Sequence, residues 1–188
     1  VNTIRACLKQ NINVSEKDSE LLEREAEVMS KVNHYSLPAF RDLVKSSDGS
    51  YVLIMSFVDG KRLDKIIEKH KGLHPEEVSW ITERLLGAVY YIHNKGIIHG
   101  DIKPSNIIIQ PKDHNAVLID YGLATLFPTR KSKAVGYTEV FVPPEISQGK
   151  PPIPESDMYS LGLTMLYALG GDPIAKSYPD YVPVKLQE

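Results

Sequence analysis

The most constraining feature of this chain is residues 99–106 (HGDIKPSN), which bring an acid, an amine and an amide together on one short segment. Asp101, Lys103 and Asn106 are only two and three residues apart, and a proline stiffens the backbone between them. A second acid, Asp120, follows an apolar run fourteen residues after Asn106. We expect this apolar run to be a strand, so that Asp120 emerges from its end into a cleft.

These four side chains are the parts that phosphoryl transfer requires. Such transfer needs little covalent chemistry from a protein, so positioning and charge stabilisation dominate. Asp101 would accept or orient the proton of a substrate hydroxyl, and Lys103 would neutralise charge on the transferring group. Asn106 and Asp120 offer oxygen ligands of the kind that Mg²⁺ prefers. Alone, Asp101 would be an ordinary turn former or helix cap and Asp120 a strand-terminating residue; their combination favours the chemical interpretation.

The first third of the chain predicts a small sheet with one helix. Strands are indicated over three ranges: residues 1–9, 40–44 and 51–57. A helix is predicted from Ser15, which can cap its start, to about Val32, because apolar residues recur there at spacings of three and four.

Beyond residue 57 the pattern becomes mainly helical. Helices are predicted around residues 63–67, between Pro75 and Gly96, and over 154–169. Two short β segments, 107–109 and 116–119, flank a predicted hairpin turn at 112–115, and residues 128–137 read as an exposed loop. We therefore expect an α+β fold in two lobes within one domain: a β-rich N-lobe part at 1–57 and a mainly helical C-lobe part at 58–188.

Five segments resemble those of eukaryotic-type protein kinases: ACLK at 6–9, HGDIKPSN at 99–106, DYG at 120–122, PPE at 143–145 and SDMYSLG at 156–162. The resemblance covers the chain from Lys9 to about Gly171. It implies the two-lobed kinase fold and a Ser/Thr protein kinase that transfers the γ-phosphate of ATP to a protein hydroxyl with Mg²⁺. Thr138 occupies the family's Thr position beside the catalytic acid.

The resemblance also assigns supporting roles. It implies that His99 packs beneath the DYG segment, and the six histidines show no zinc-like spacing that would favour a metal ligand. Tyr121 stands where the family more often has Phe and would pack near Met29, while Gly122 would let the backbone turn. Asp157 would bond the backbone of residues 99–106, with an ordinary helix cap as the alternative.

A nucleotide site follows from the same resemblance. Lys9 would hold the ATP phosphates and pair with Glu25 on the predicted helix. Arg5 competes for the position of that lysine, and if Arg5 held it the phosphate-contacting amine would be lost. Adenine would lie at the segment joining the lobes, against four residues: Ser56 and Val58 through backbone groups, Met55 as gatekeeper and Ile108 in the floor.

The pattern departs from the family in two places. Most protein kinases have an Arg at the position of Gly100, and that Arg forms charge pairs with a phosphorylated activation loop. We therefore expect that phosphorylation of the activation loop does not switch activity through this contact. No glycine-rich loop precedes Lys9, and both ends of the chain fall inside expected structure, so we expect a segment of a longer protein. Two alternatives stay open: a pseudokinase or ATP-binding scaffold, and a small-molecule phosphotransferase of the aminoglycoside or choline kinase type, which generally lacks the equivalent of Lys103.

Composition sets the remaining limits. The formal net charge of −2 argues against a strongly basic nucleic-acid-binding surface. The single cysteine, Cys7, cannot form an internal disulfide, and no apolar run reaches the roughly 20 residues that span a bilayer. We therefore expect a cytoplasmic domain that acts on a protein substrate, with no nucleic-acid partner and no membrane segment in this chain. Its oligomeric state is not predicted.

Overall fold

The computed structural model describes residues 5–10, 16–47 and 49–171. Its strands and helices, numbered in chain order, are β1 (Ala6–Gln10), α1 (Glu16–Ser30), β2 (Phe40–Lys45), β3 (Tyr51–Ser56), β4 (Lys61–Arg62), α2 (Leu63–His70), α3 (Pro75–Asn94), β5 (Ile97–Ile98), β6 (Ile107–Gln110), β7 (Asn115–Leu118), β8 (Thr125–Leu126), α4 (Pro144–Ser147) and α5 (Pro154–Ala168). Short 3₁₀ turns lie at Pro104–Asn106, Pro111–Asp113 and Glu139–Phe141.

The N-terminal unit is an antiparallel sheet covered by one helix, as the sequence predicts. Its strands lie in the order β1-β3-β2, and α1 packs against β2 and β3. The helix buries Leu22, Ala26 and Met29, whose spacings of four and three place them on one face. They pack with Leu53, the fully buried residue of β3, in the main hydrophobic core. This core fixes the orientation of α1, which carries Glu25.

Helix α1 ends at Ser30, two residues earlier than the predicted end at Val32. The N–H groups of Lys31 and Val32 donate to carbonyls three residues back, at 3.1 and 3.3 Å, rather than four. Such bonds tighten the last turn of a helix. Val32 is nevertheless buried at 6% exposure, which explains why the apolar pattern continues past the helix end.

The C-terminal unit is built around α3, which begins at Pro75 as predicted. His74 accepts the N–H of Glu76 through its ring, while the side chain of Glu77 accepts the N–H of His74 at 3.0 Å. This reciprocal capping, together with a proline at the first helical position, fixes the start of the helix. The buried face of α3 packs against β7 and α5 and includes Leu85, Ala88 and Ile92.

The predicted hairpin is present as β6 and β7, which pair antiparallel, with Ile107 opposite Leu118. Its turn lies one residue earlier than predicted, at Pro111–His114, because Asn115 is already the buried first residue of β7. Four short elements, β4, β5, β8 and α4, were not predicted from the sequence. The three strands have two residues each and α4 has four, too short for a hydrophobic period to appear.

Some predictions lie outside the described residues: the Ser15 cap, the first four residues of the first predicted strand, and the chain beyond residue 171. Helices predicted around 63–67 and over 154–169 are confirmed as α2 and α5. Within the described residues, no helix is both long enough and apolar enough to cross a membrane. The fold is α+β, with a small antiparallel sheet followed by a mainly helical unit, as expected.

Candidate active site

The backbone of residues 99–106 is held by a buried carboxylate from α5. Asp157, only 1% exposed, accepts the N–H of His99 through Oδ2 and the N–H of Gly100 through Oδ1, each at 2.8 Å. The ring of His93 on α3 lies 2.8 Å from the same Oδ2. Helix α5 is capped at Ile153, so the alternative that Asp157 is a helix cap is wrong. Two helices thus position this loop.

The carboxylate of Asp101 receives three side-chain contacts. Thr138 donates its hydroxyl to Oδ1 at 2.7 Å, and Asn106 donates its amide to Oδ2 at 2.8 Å. The ammonium of Lys103 lies 2.7 Å from Oδ2 and also donates to the hydroxyl of Thr138 at 2.8 Å. The predicted residues Asp101, Lys103 and Asn106 therefore meet at one point, and Thr138 joins them from a distant part of the chain.

A second cluster joins β1, α1 and the DYG segment. The ammonium of Lys9 lies 2.7 Å from Oε2 of Glu25 and 2.9 Å from Oδ1 of Asp120. Arg5, the competing candidate, instead contacts Asp59 at 3.0 Å. The structure therefore places Lys9, and not Arg5, against Glu25.

Charge pairing outweighs burial at Lys9 and Asp120, whereas at Glu25 burial outweighs the attraction of Lys9 and raises the pKa. Burial opposes the charge on Lys9, but the attraction of Glu25 and Asp120 outweighs burial and raises the pKa of Lys9. Asp120 shows the same competition: burial works against its charge, while the Lys9 ammonium and the N–H of Gly122 hold its pKa below the ordinary value. Lys9 and Asp120 are thus a charged pair at neutral pH.

The backbone turns at Gly122 as expected: residues 122 and 123 form a turn in which the N–H of Ala124 donates to the carbonyl of Tyr121 at 3.0 Å. Asp120 has φ +70°, in the left-handed region that Asp tolerates better than most residues. Gly122 donates its N–H to Oδ1 of Asp120 at 3.2 Å, and a Cβ at this glycine would lie 3.3 Å from the same oxygen. A side chain at residue 122 would therefore crowd the carboxylate of Asp120. Tyr121 is buried, with its ring centroid 5.2 Å from that of His99, in the same core cluster as Met29.

A cavity of about 320 Å³ lies between the two units. All six residues predicted to bind the nucleotide line it: Lys9, Glu25, Met55, Ser56, Val58 and Ile108. Cys7 and Leu8 from β1 also line it. The N–H of Ser56 donates to the carbonyl of Ala39 at 2.8 Å, so a ligand would use the carbonyl oxygen of Ser56. Asp120 lies at the Lys9 end of the cavity, which makes that end the charged one.

Asn106 and Asp120 are brought together by the backbone. The carbonyl of Asn106 accepts the N–H of Ile119 at 2.9 Å, directly before Asp120. In the described part of the chain, no group of three or more His, Cys, Asp or Glu is arranged to hold a metal ion. A carboxylate and an amide oxygen match the chemistry of a Mg²⁺ that keeps its other ligands as water and substrate phosphate oxygens.

Two contacts of the site were not anticipated from the sequence. His93 supports Asp157, and Ser156 donates its hydroxyl to Glu145 at 2.6 Å, which fastens the PPE segment to the start of α5. His93 lies in the last turn of a helix that the sequence predicts, but its position beside Asp157 depends on tertiary packing. No local signal in the sequence identifies either pair.

Comparison of the sequence with known proteins identifies the family to which the chain is similar. Residues 3–182 match the protein kinase domain model. Serine/threonine-protein kinase F of Synechocystis sp. is 32% identical over 203 residues, which cover 95% of this chain and 41% of that protein. Kinase D of the same organism is 36% identical, over 85% of this chain and 32% of its own length, and PrkC of Bacillus subtilis is 32% identical, over 82% and 24%.

The chain thus spans less than half the length of each of these relatives. The family match, in contrast, extends over most of the chain. The small antiparallel sheet followed by a mainly helical unit is what the resemblance in the sequence implied. On this match and these identities, the chain belongs to the protein kinase domain family.

Proposed function

We propose that this chain is the catalytic domain of a Ser/Thr protein kinase, which transfers the γ-phosphate of ATP to a protein hydroxyl. The observation that carries the proposal is the convergence of Lys103, Asn106 and Thr138 on the carboxylate of Asp101. Three donors hold this carboxylate in one orientation, and such preorganisation is the main contribution that a protein makes to phosphoryl transfer. The pseudokinase alternative does not explain why this constellation is intact.

In the proposed reaction Asp101 accepts or orients the proton of the substrate hydroxyl. Its contacts to Thr138 and Asn106 come from opposite oxygens of the carboxylate, which fixes its plane. Lys103 carries a positive charge within 2.7 Å of the same group and stabilises the charge that develops on the transferring phosphoryl group. These are roles of orientation and charge, and none requires a covalent intermediate on the chain.

The nucleotide would lie in the cavity between the units. Its phosphates would meet Lys9, which Glu25 holds in place from α1. Adenine would lie against Met55 and Ile108, with the carbonyl of Ser56 and the N–H of Val58 as its hydrogen-bond partners. The charged end and the apolar end of this cavity match the two ends of ATP.

Asn106 and Asp120 would hold Mg²⁺. When bound, the ion would neutralise charge on the nucleotide phosphates. The amide nitrogen of Asn106 donates to both the carbonyl and Oδ2 of Asp101, so the amide oxygen is the atom that remains for a cation. The contacts that Lys9 and Gly122 make to Asp120 both involve Oδ1, which directs Oδ2 to the same role.

A protein fits as the substrate better than a small alcohol. Lys103 links Asp101 to Thr138, and Thr138 lies between two exposed apolar side chains, Tyr137 and Val140, at 51% and 41% exposure. An open apolar surface beside the acid suits an extended polypeptide, whereas small-molecule sites are concave.

The N-lobe and C-lobe parts would be residues 1–57 and 58–188 of one domain. The net charge of −2 favours no nucleic-acid partner, and the free, exposed Cys7 suits a cytoplasmic location.

A phosphate-acceptor screen tests the proposal. The full-length protein is incubated with Mg²⁺-ATP and either Ser- and Thr-containing peptides or a set of aminoglycosides and amino alcohols. We expect phosphate to be incorporated into the peptides, on their Ser or Thr side chains. Transfer to the small alcohols alone would contradict the assignment of a protein substrate, and the absence of transfer to any acceptor despite nucleotide binding would favour a scaffold.

A further inference from the structure

Arg5 forms a bridge outside the residues already assigned to the site. It directly precedes β1, and its guanidinium donates from Nη2 to Oδ2 of Asp59 at 3.0 Å. The same guanidinium lies 4.5 Å from the ring centroid of Phe57. Arg5 therefore pairs with a charge and packs on an aromatic face at once, the two interactions for which a planar guanidinium is suited.

The position of this bridge follows from the register of the sheet. Ala6 lies opposite Ser56 in the β1–β3 pair, so Arg5 lies at the next position outward, beside Phe57. Alternate residues of a strand point to the same face, which places Arg5 in one row with Cys7 and Lys9. Cys7 and Lys9 line the cavity, as do their neighbour Leu8 and Phe57. Arg5 thus lies just outside the lining residues of β1, four residues before Lys9 and beside Phe57.

The residues that Arg5 contacts belong to a segment fixed on the other unit. We call residues 57–60 the hinge segment. The carbonyl of Asp59 accepts the side-chain amide of Gln110 on β6 at 3.1 Å. A Cβ at Gly60 would lie 2.4 Å from the carbonyl oxygen of Ile109, so the backbone lies directly on β6 there. Arg5 therefore connects β1, which lines the cavity, to a segment held by the C-terminal unit.

We propose that Arg5 is a positioning residue for the nucleotide: it holds β1 at a fixed distance from the hinge segment and so keeps the adenine end of the cavity in its binding geometry. This inference rests on the proposed nucleotide function of the cavity. A site already in its binding shape loses less affinity to ordering when the ligand enters. Arg5 acts on the shape of the cavity and not on the phosphates, so its effect falls on nucleotide affinity rather than on the transfer step.

The expected effect is modest because both partners are exposed, at 63% for Arg5 and 72% for Asp59. Exposed ion pairs and exposed cation–π contacts are each weak, and together they correspond to about a three- to fivefold change in nucleotide affinity. The ion-pair share falls at high salt, whereas the contact with Phe57 persists.

A double-mutant cycle on the full-length protein tests the inference. Arg5→Ala, Asp59→Ala and the double variant are compared for ADP affinity by calorimetry, and for KM of ATP and kcat with a peptide acceptor. Lys65→Ala is the matched control, because Lys65 forms an exposed ion pair with Glu68 at 2.8 Å on α2. We expect Arg5→Ala to weaken ADP binding and raise KM about three- to fivefold, with a much smaller change in kcat.

The double-mutant cycle also tests whether Arg5 acts through Asp59. We expect Asp59→Ala to give part of the loss, and the double variant to be no worse than Arg5→Ala alone. If Arg5→Ala binds ADP as tightly as Lys65→Ala while the unaltered protein binds it well, the inference is overturned and the proposed function stands. If the unaltered protein binds no nucleotide, the proposed function is contradicted and the inference with it. A loss confined to kcat would likewise overturn the inference.

Discussion

Gly100 lies directly against the backbone of Leu123: a Cβ at residue 100 would be 2.8 Å from the Leu123 carbonyl oxygen. Gly100 also has φ +76°, a conformation that side chains rarely adopt. A Cβ at Gly136 would lie 3.2 Å from Cδ2 of Leu123, so glycines flank Leu123 on two sides. Leu123, in the segment after Asp120, thus packs closely against residue 100, the position at which most protein kinases have an Arg.

Gly100→Ala is expected to destabilise the protein and lower its activity. Gly149 provides the matched control, because it has φ +73° but nothing within 4 Å of a built Cβ. Gly149→Ala should lower the free energy of unfolding by about 1–2 kcal/mol through backbone strain alone. Gly100→Ala should lower it by about 1–3 kcal/mol more, since Leu123 must shift, and it should reduce kcat by displacing Asp101. Equal effects of the two substitutions in urea unfolding would contradict the packing argument.

Phosphomimetic substitutions in the loop after Leu126 are expected to leave activity nearly unchanged. Gly100 has no side chain that could pair with a new negative charge, and Ser132 accepts the N–H of Thr129 at 2.8 Å within the loop itself. Thr129→Glu and Ser132→Asp should therefore match Thr129→Ala and Ser132→Ala in initial rate of peptide phosphorylation. A large activation by either acidic substitution would show that another cation takes the place of the missing Arg.

Tyr121→Phe is expected to stabilise the fold slightly. The hydroxyl of Tyr121 is buried and has no hydrogen-bond partner among the residues that the structure describes. Removing a buried unsatisfied hydroxyl should raise the free energy of unfolding by about 1 kcal/mol. Tyr91→Phe is the control, because the Tyr91 hydroxyl accepts the N–H of Asn33 at 3.0 Å and its loss should cost about 1 kcal/mol. Destabilisation by both substitutions would reveal a partner for Tyr121.

The stability of the protein should fall in mild acid because of His99. Burial lowers the pKa of this fully buried ring, although Asp157, Asp101 and Asp120 oppose that effect. As pH falls below the ordinary value of about 6.5, the unfolded chain binds a proton before the folded one does, so the stabilisation present above that pH is lost. Through His99 the free energy of unfolding should fall by at most about 1.4 kcal/mol per pH unit.

This contribution can be separated from that of other histidines. His34 also has a pKa lowered by burial, and it remains in both proteins when the unaltered chain is compared with His99→Phe. The free energy of unfolding, measured by urea titration between pH 7.5 and 5, should therefore fall less steeply in the variant. Parallel curves for the two proteins would contradict the assignment to His99.

The long elements and the residues of the candidate site could both be proposed from the sequence, because both leave local signals. The apolar period of α3 and the Pro75 start are visible without a structure, and so is the cluster from Asp101 to Asn106. The choice between Lys9 and Arg5 could not be made from the sequence, because the two residues are only four apart: Lys9 lies in β1 and Arg5 directly precedes it. It depends on which side chain meets Glu25 across 16 residues and Asp120 across 111.

The missed features are those set by tertiary contact. The turn at Gly122 was expected from the sequence, but the positive φ of Asp120, +70°, was not. The contacts that Lys9 and Gly122 make to the Asp120 side chain hold that conformation. In the same way, two-residue strands such as β5 and β8 exist only because they pair with each other across the fold.

The most direct test of the account is transfer of the ATP γ-phosphate by the full-length protein and by Asp101→Asn. The variant keeps the shape of residue 101 but loses the carboxylate that Lys103, Asn106 and Thr138 surround. Asp113→Asn, an exposed acid in the turn before β7, is the control for the same chemical change. We predict phosphate incorporation into a Ser/Thr peptide for the unaltered protein and for Asp113→Asn, and a loss of at least about 100-fold for Asp101→Asn. Equal incorporation by all three proteins would contradict the assignment of Asp101.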